Sequence, residues 1–156
     1  MPKPLAEIIG ALVTSPHGFM LKGSRLIGGA RQNSDWDFVV KNSDAASVFL
    51  QNLGFVRFLD LAGGETMNYA TEHRDSPNVP GEVVNMLRYR TLDNVEVQVV
   101  LSEIPEVHLQ AAHIVKAFLF ERHLNMPKQY RRYIWGPLMQ ALTYRAPQPE
   151  IDIDPF

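Results

Sequence analysis

Cysteine is absent from the 156 residues, which rules out disulfides and thiolate metal sites. No apolar run approaches the roughly 20 residues a helix needs to cross a bilayer. The opening Met1-Pro-Lys-Pro-Leu-Ala-Glu lacks the basic-then-apolar pattern and the cleavage site of a secretory leader. These absences together lead to the expectation of a cytoplasmic protein with no membrane partner. Neither sign of charge is in large excess. Fifteen Lys and Arg face 17 Asp and Glu, a net of −2, so no global field draws the chain to nucleic acid and local patches must carry any such argument. Internal repeats are missing too, which excludes solenoids and arrays.

What remains is an ordinary globular composition. With 46% hydrophobic and 21% charged residues, a chain of this length can bury its own core. The expected organisation is one domain over 1–145, with a core over 1–104, a helical extension over 105–145 and an extended, proline-containing tail over 146–156.

Apolar spacing predicts a helix from Leu5 to Val13, ended by Ser15-Pro16. Phe19 to Leu21 and Asp35 to Val40 read as strands. Asn42 or Ser43 is placed to cap a helix running to Leu53, with Gly54 as its stop. Phe55 to Leu59 resumes a strand, Ala62-Gly63-Gly64 turns, and Thr66 to Tyr69 reads as a short return strand. Thr71 to Glu82, with two prolines, reads as a plain connecting loop. Met86 to Thr91 and the alternating, β-branched Val95 to Leu101 flank the turn Leu92-Asp93-Asn94 as a hairpin. A helix is expected over Val107 to Leu124, interrupted at Met126-Pro127, and another over Lys128 to Leu142 with irregularity at Gly136-Pro137. Strands followed by helices predict an α/β or α+β fold, a mixed sheet with helices packed behind it.

The chemistry concentrates between Lys22 and Val40. Lys22-Gly23-Ser24-Arg25 is followed, after a polar glycine-containing turn, by Ser34-Asp35-Trp36-Asp37-Phe38-Val39-Val40. On an extended strand Asp35 and Asp37 share one face while Trp36 and Phe38 take the other. Two like-charged carboxylates side by side are tolerated when a hard cation lies between them, and Mg²⁺ is held by carboxylates together with substrate phosphates. Gly23 lets backbone approach a phosphate, Ser24 offers a hydroxyl and an N–H, and Arg25 adds charge, with Lys22 the weaker candidate by strand alternation. Glu96 on the later strand is expected as a third metal ligand or as the general base, with Asp93 and Glu103 as fallback acids at the two ends of that strand.

These residues resemble the nucleotidyltransferase superfamily that includes DNA polymerase β, the aminoglycoside nucleotidyltransferases and the minimal nucleotidyltransferases of bacterial toxin–antitoxin pairs. Leu21, Gly23-Ser24-Arg25, Gly28, Ser34-Asp35-Trp36-Asp37 and Val95-Glu96-Val97 carry the likeness, which is closest to the minimal branch. It spans Phe19 to Val40, with weaker support near Glu96. Ile27 stands where minimal members often have a second basic residue, and Glu96 where many relatives have Asp. The resemblance implies a nucleotidyltransferase-like sheet and transfer of a nucleoside monophosphate from an NTP, ATP foremost, to a hydroxyl on a protein or RNA. It implies two Mg²⁺ ions with the NTP bound, Asp35, Asp37 and Glu96 as metal ligands and catalytic acids, and Gly23, Ser24 and Arg25 around the phosphates. Two other readings stay open: an inactive, antitoxin-like binding protein on the same scaffold, and a nucleic-acid-binding module.

Two further signals are set aside. The five histidines have no metal-site spacing: His108 and His113 lie five apart, which splays them around a helix, and all five read as structural. Lys116, Arg122, Lys128, Arg131, Arg132 and Arg145 interleave with Tyr130, Tyr133, Trp135 and Tyr144. That mixture reads as solvated helix faces with inward aromatics. Should it border the catalytic edge, it would instead hold the triphosphate or the acceptor.

Overall fold

The computed structural model describes residues 1–57 and 85–144. The expected turn at Ala62-Gly63-Gly64, the strand at Thr66 to Tyr69, the loop from Thr71 to Glu82 and the tail over 146–156 lie outside the described residues.

Among the described residues five strands form one mixed sheet: β1 (Met20–Lys22), β2 (Trp36–Lys41), β3 (Val56–Arg57), β4 (Asn85–Arg90) and β5 (Glu96–Ser102). Their order is β1-β2-β5-β4-β3; β2 and β5 run parallel and every other pair antiparallel. The parallel pair is what carries a residue near position 96 to the side of one near 36.

Helices cover both faces. On one, α1 (Leu5–Thr14) and α3 (Asp44–Leu53) press Ile8, Leu12, Ala46 and Leu50 onto Phe38, Val40, Val97, Val99 and Leu101. Each large aliphatic side chain sealed there contributes about 1.5–3 kcal/mol. Helix α1 begins after Pro4 and is held by a distant cap: the Leu5 N–H donates to Asp93 Oδ2 at 2.6 Å, from the turn between β4 and β5. Helix α3 is capped as expected. The Ala46 N–H donates to Ser43 Oγ at 3.1 Å, and Gly54 closes the other end through the Gln51 and Leu50 carbonyls.

The opposite face is apolar only in part. Met20, Val39, Val100 and Met86 form a row across four strands, and α4 (Pro105–Ile114) packs on β1 and β2. The expected long helix is then interrupted by a π-helical turn, Val115–Leu119, before α5 (Phe120–Asn125). His108, Ala111, Ala112 and Val115 are buried at helical spacing. The wider π turn shifts that stripe by one position, so Phe118 is exposed whereas Phe120 packs inward and His123 is buried. Pro127 ends α5 as expected. A 3₁₀ turn, Lys128–Tyr130, leads into α6 (Arg132–Thr143), which continues across Gly136-Pro137 without a break. Trp135, Leu138 and Met139 of α6 pack against α4. Among the described residues no helix is long and apolar enough to cross a membrane.

Candidate functional site

The site grows from the register of the sheet. Asp37 pairs with Lys22 on one side and with Gln98 on the other, and Gln98 pairs with Arg88. Strand alternation puts all four on the face that carries Val39 and Val100, so a charged row lies beside the apolar one. Asp35, Glu96 and Arg90 continue the pattern one step further along the strands. Gln98 joins the two rows, because its side-chain amide donates to Asp35 Oδ2 at 3.3 Å and to Glu96 Oε2. The three acids foreseen from the sequence thus come together on one face, with a neutral amide between two of them.

They are not equivalent. Asp35 and Asp37 are half-buried and line a cleft of about 760 Å³ together with Gly23, Ser24, Ser34 and Asn33. Glu96 is buried, at 6% exposure, and does not line the cleft. Its carboxylate forms an ion pair with Arg88, and Arg90 approaches at 3.6 Å. The fallback acids are engaged elsewhere: Asp93 caps α1, and the exposed Glu103 pairs with Lys41 at 3.1 Å and accepts from Asn42.

Gly23 is required twice over. Its φ of +73° lies in the left-handed region that side chains disfavour, and a Cβ there would sit 2.6 Å from Asp37 Oδ2. The absence of a side chain therefore lets the Asp37 carboxylate nest against the loop. Arg25, expected at the phosphates, is not among the residues lining the cleft. Its guanidinium donates to the carbonyls of Gln32 at 3.1 Å and Ser34 at 2.9 Å and lies 4.8 Å from the centre of the Trp36 ring. Arg25 thus clamps the turn that delivers Asp35 and Asp37.

The other wall comes from the C-terminal helices: His123, Lys128, Arg131 and Trp135 line the same cleft, as do Arg31 and Ile27. The basic and aromatic mixture foreseen in the sequence does, for these residues, border the carboxylates. Glycine again allows the approach. Gly28, at φ +119°, leaves room for the Phe120 ring, which an added Cβ would meet at 2.8 Å, and Gly29 faces Leu124 in the same way. His123 is the functional candidate that the sequence hid. Its neighbours carry no motif, and only the π turn brings it inward. The remaining described histidines are as expected: His17 packs on Phe19 and Phe49, His108 is buried and His113 is exposed. His73 lies outside the described residues.

The electrostatics follow from partial burial. Desolvation pushes the Asp37 carboxyl above its ordinary range; Lys22 and Lys128 oppose this, and Asp35 and Glu96 add to it. Desolvation raises Asp35 as well, reinforced by Glu96 and offset by Lys128, Arg88 and Arg90. Burial lowers the His123 imidazole below its usual value, and the charge of Arg131 lowers it further. The cleft therefore combines two partly desolvated carboxyl groups with raised pKa values, several cations and an imidazole whose protonation is disfavoured.

Among the described residues no three His, Asp or Glu side chains surround a common point in the manner of a closed metal cage. The donor set fits a different arrangement, in which two adjacent carboxylates hold Mg²⁺ and phosphate oxygens complete its shell. Compared with protein-family models, with curated proteins and with solved structures, the chain matches none, so its functional reading rests on this geometry and on the motif that builds it.

Proposed function

We propose that the chain is a minimal nucleotidyltransferase that moves a nucleoside monophosphate from an NTP, ATP foremost, to a hydroxyl on a protein side chain or an RNA 3′ end. The observation that carries this reading is the meeting of Asp35 and Asp37 with Gly23, Ser24 and Lys128 around one cleft. Asp35 and Asp37 would hold Mg²⁺, which when bound would supply positive charge for the phosphate oxygens and the departing pyrophosphate. Gly23 keeps the loop close to Asp37, and Ser24 presents its hydroxyl to the phosphates. Gln98, itself fixed by Glu96, holds the Asp35 carboxylate in place, while Arg88 balances the Glu96 charge. Arg25 acts through the turn it clamps. The acceptor oxygen bonds to the α-phosphorus, the bond from that phosphorus to pyrophosphate breaks, and the hydroxyl proton leaves to water in the cleft.

One observation favours a second reading. The Glu96–Arg88 ion pair takes the third acid away from the cleft, as befits a scaffold kept for contacting a partner protein or nucleic acid after catalysis is lost. Isothermal titration with Mg-ATP separates the two. Metal-dependent binding that disappears in Asp35→Asn/Asp37→Asn supports the enzyme, whereas no binding to the wild-type chain supports the partner-binding protein. Incubation with α-labelled NTPs, Mg²⁺ and cell extract then identifies the acceptor by what becomes labelled.

A further inference from the structure

His123 is only 5% exposed, lines the cleft, and its Nδ1 has no hydrogen-bond partner among the described residues. A buried ring nitrogen without a partner is costly unless a ligand or water supplies one. The ring is held firmly. Trp135 meets it edge-on, with centroids 6.2 Å apart, and the helix that carries it is docked on the Gly28-Gly29 loop through Phe120 and Leu124.

Two cations flank the same wall. Arg131 is anchored through Nε, which donates to the Met126 carbonyl at 3.3 Å, and its charge reaches His123. Lys128 opens the 3₁₀ turn that joins this wall to α6 and is close enough to act on both Asp35 and Asp37. An ammonium and a guanidinium offer donors only, and the imidazole adds one more when Nδ1 carries a proton. A ligand that satisfies such a set is rich in acceptor oxygens and negative charge.

We propose that Lys128, Arg131 and His123 form an anion site for the polyphosphate tail of the donor nucleotide, on the C-terminal wall of the cleft that Asp35 and Asp37 also line. The inference rests on the nucleotidyltransferase reading and extends it: the phosphate-binding cations come from the helical extension, not from Arg25. The bound tail accepts a hydrogen bond from His123. Burial and the charge of Arg131 disfavour protonation of the ring, and Lys128, Arg31, Asp35 and Asp37 line the same cleft. An added phosphate tips that balance towards the imidazolium.

The test uses the full chain and inorganic tripolyphosphate without divalent metal, followed by calorimetry and by NMR titration of the histidine ring protons. Tripolyphosphate should bind, His123→Gln and Arg131→Gln should each weaken it about tenfold, and the His123 titration midpoint of the wild-type chain should move up on binding. The NMR measurement needs no substitution, so it stands even if a variant fails to fold. Affinity unchanged in both variants, or a His123 midpoint that does not move, overturns the site. Preference of the same residues for an oligonucleotide lacking a triphosphate overturns the assignment to the donor's tail. Failure to bind tripolyphosphate while Mg-ATP still binds through Asp35 and Asp37 removes this site alone. The reverse result upholds the site and removes the carboxylate reading.

Discussion

On the face of the sheet covered by α1 and α3, Phe38, Val40, Val97 and Val99 are sealed among Ile8, Leu12 and Leu50. On the other face the same strands turn Asp37 and Gln98 outward in a row with Lys22 and Arg88. Residues one position apart thus serve opposite ends. The dry face supplies free energy and fixes the register; the charged face uses that rigidity to hold acids together against their repulsion. Charge balance on the second face is local: Lys22 and Lys128 act on Asp37, and Arg88 and Arg90 surround Glu96.

The largest effect expected on the charged face is functional. Asp35→Asn/Asp37→Asn should reduce nucleotidyl transfer by about 10³-fold or more, corresponding to several kcal/mol of lost charge stabilisation. A double variant that still transfers label at the wild-type rate would break the comparison at once. Next comes the buried ion pair. Arg88→Met should destabilise the fold by about 3–5 kcal/mol, because Glu96 is left charged and buried, and adding Glu96→Gln should recover much of that loss in urea unfolding. On the dry face, Leu50→Ala should cost about 2–5 kcal/mol and leave Mg-ATP affinity unchanged in the folded fraction.

Smaller effects sharpen the contrast. Asp35 and Asp37 have raised pKa values in the folded chain, so the native state binds protons more tightly than the unfolded one. Their contribution is therefore favourable at low pH and is lost as pH rises through the raised values. Asp37→Asn should flatten this dependence and raise stability at neutral pH, measured as a higher thermal midpoint. The smallest expected change, about 1 kcal/mol, is the loss of the α3 cap in Ser43→Ala, with the site unaffected.

The legible parts of the molecule were those coded by neighbours in sequence. Ser43 and Gly54 bracket α3 through local hydrogen bonds, and alternation from Asp35 to Val40 fixes which side chains face the core. The carboxylates and Gly23 were visible for the same reason, since one loop and one strand contain them. The rest depends on distant pairing. That Glu96 would come to act on Asp35 follows only from β5 pairing in parallel with β2, and that Asp93 would cap α1 joins residues 88 positions apart. Arg25 bears a motif position yet bonds to its own turn, a choice set by the path of Gln32 to Ser34. His123 turns inward because one helical turn is wider than apolar spacing foretold. Composition led to a plain solvated face for the C-terminal cations, and the docking of Phe120 on Gly28 placed Lys128 and Arg131 at the cleft instead.

The central claim is that Asp35 and Asp37 jointly hold a divalent cation beside nucleotide phosphates. Crystals grown with a non-hydrolysable ATP analogue and Mn²⁺ in place of Mg²⁺ would locate the ion by its anomalous scattering. The account predicts a peak about 2.1 Å from oxygens of both carboxylates and also in contact with phosphate oxygen. A nucleotide bound in the cleft with the metal away from both carboxylates would contradict it.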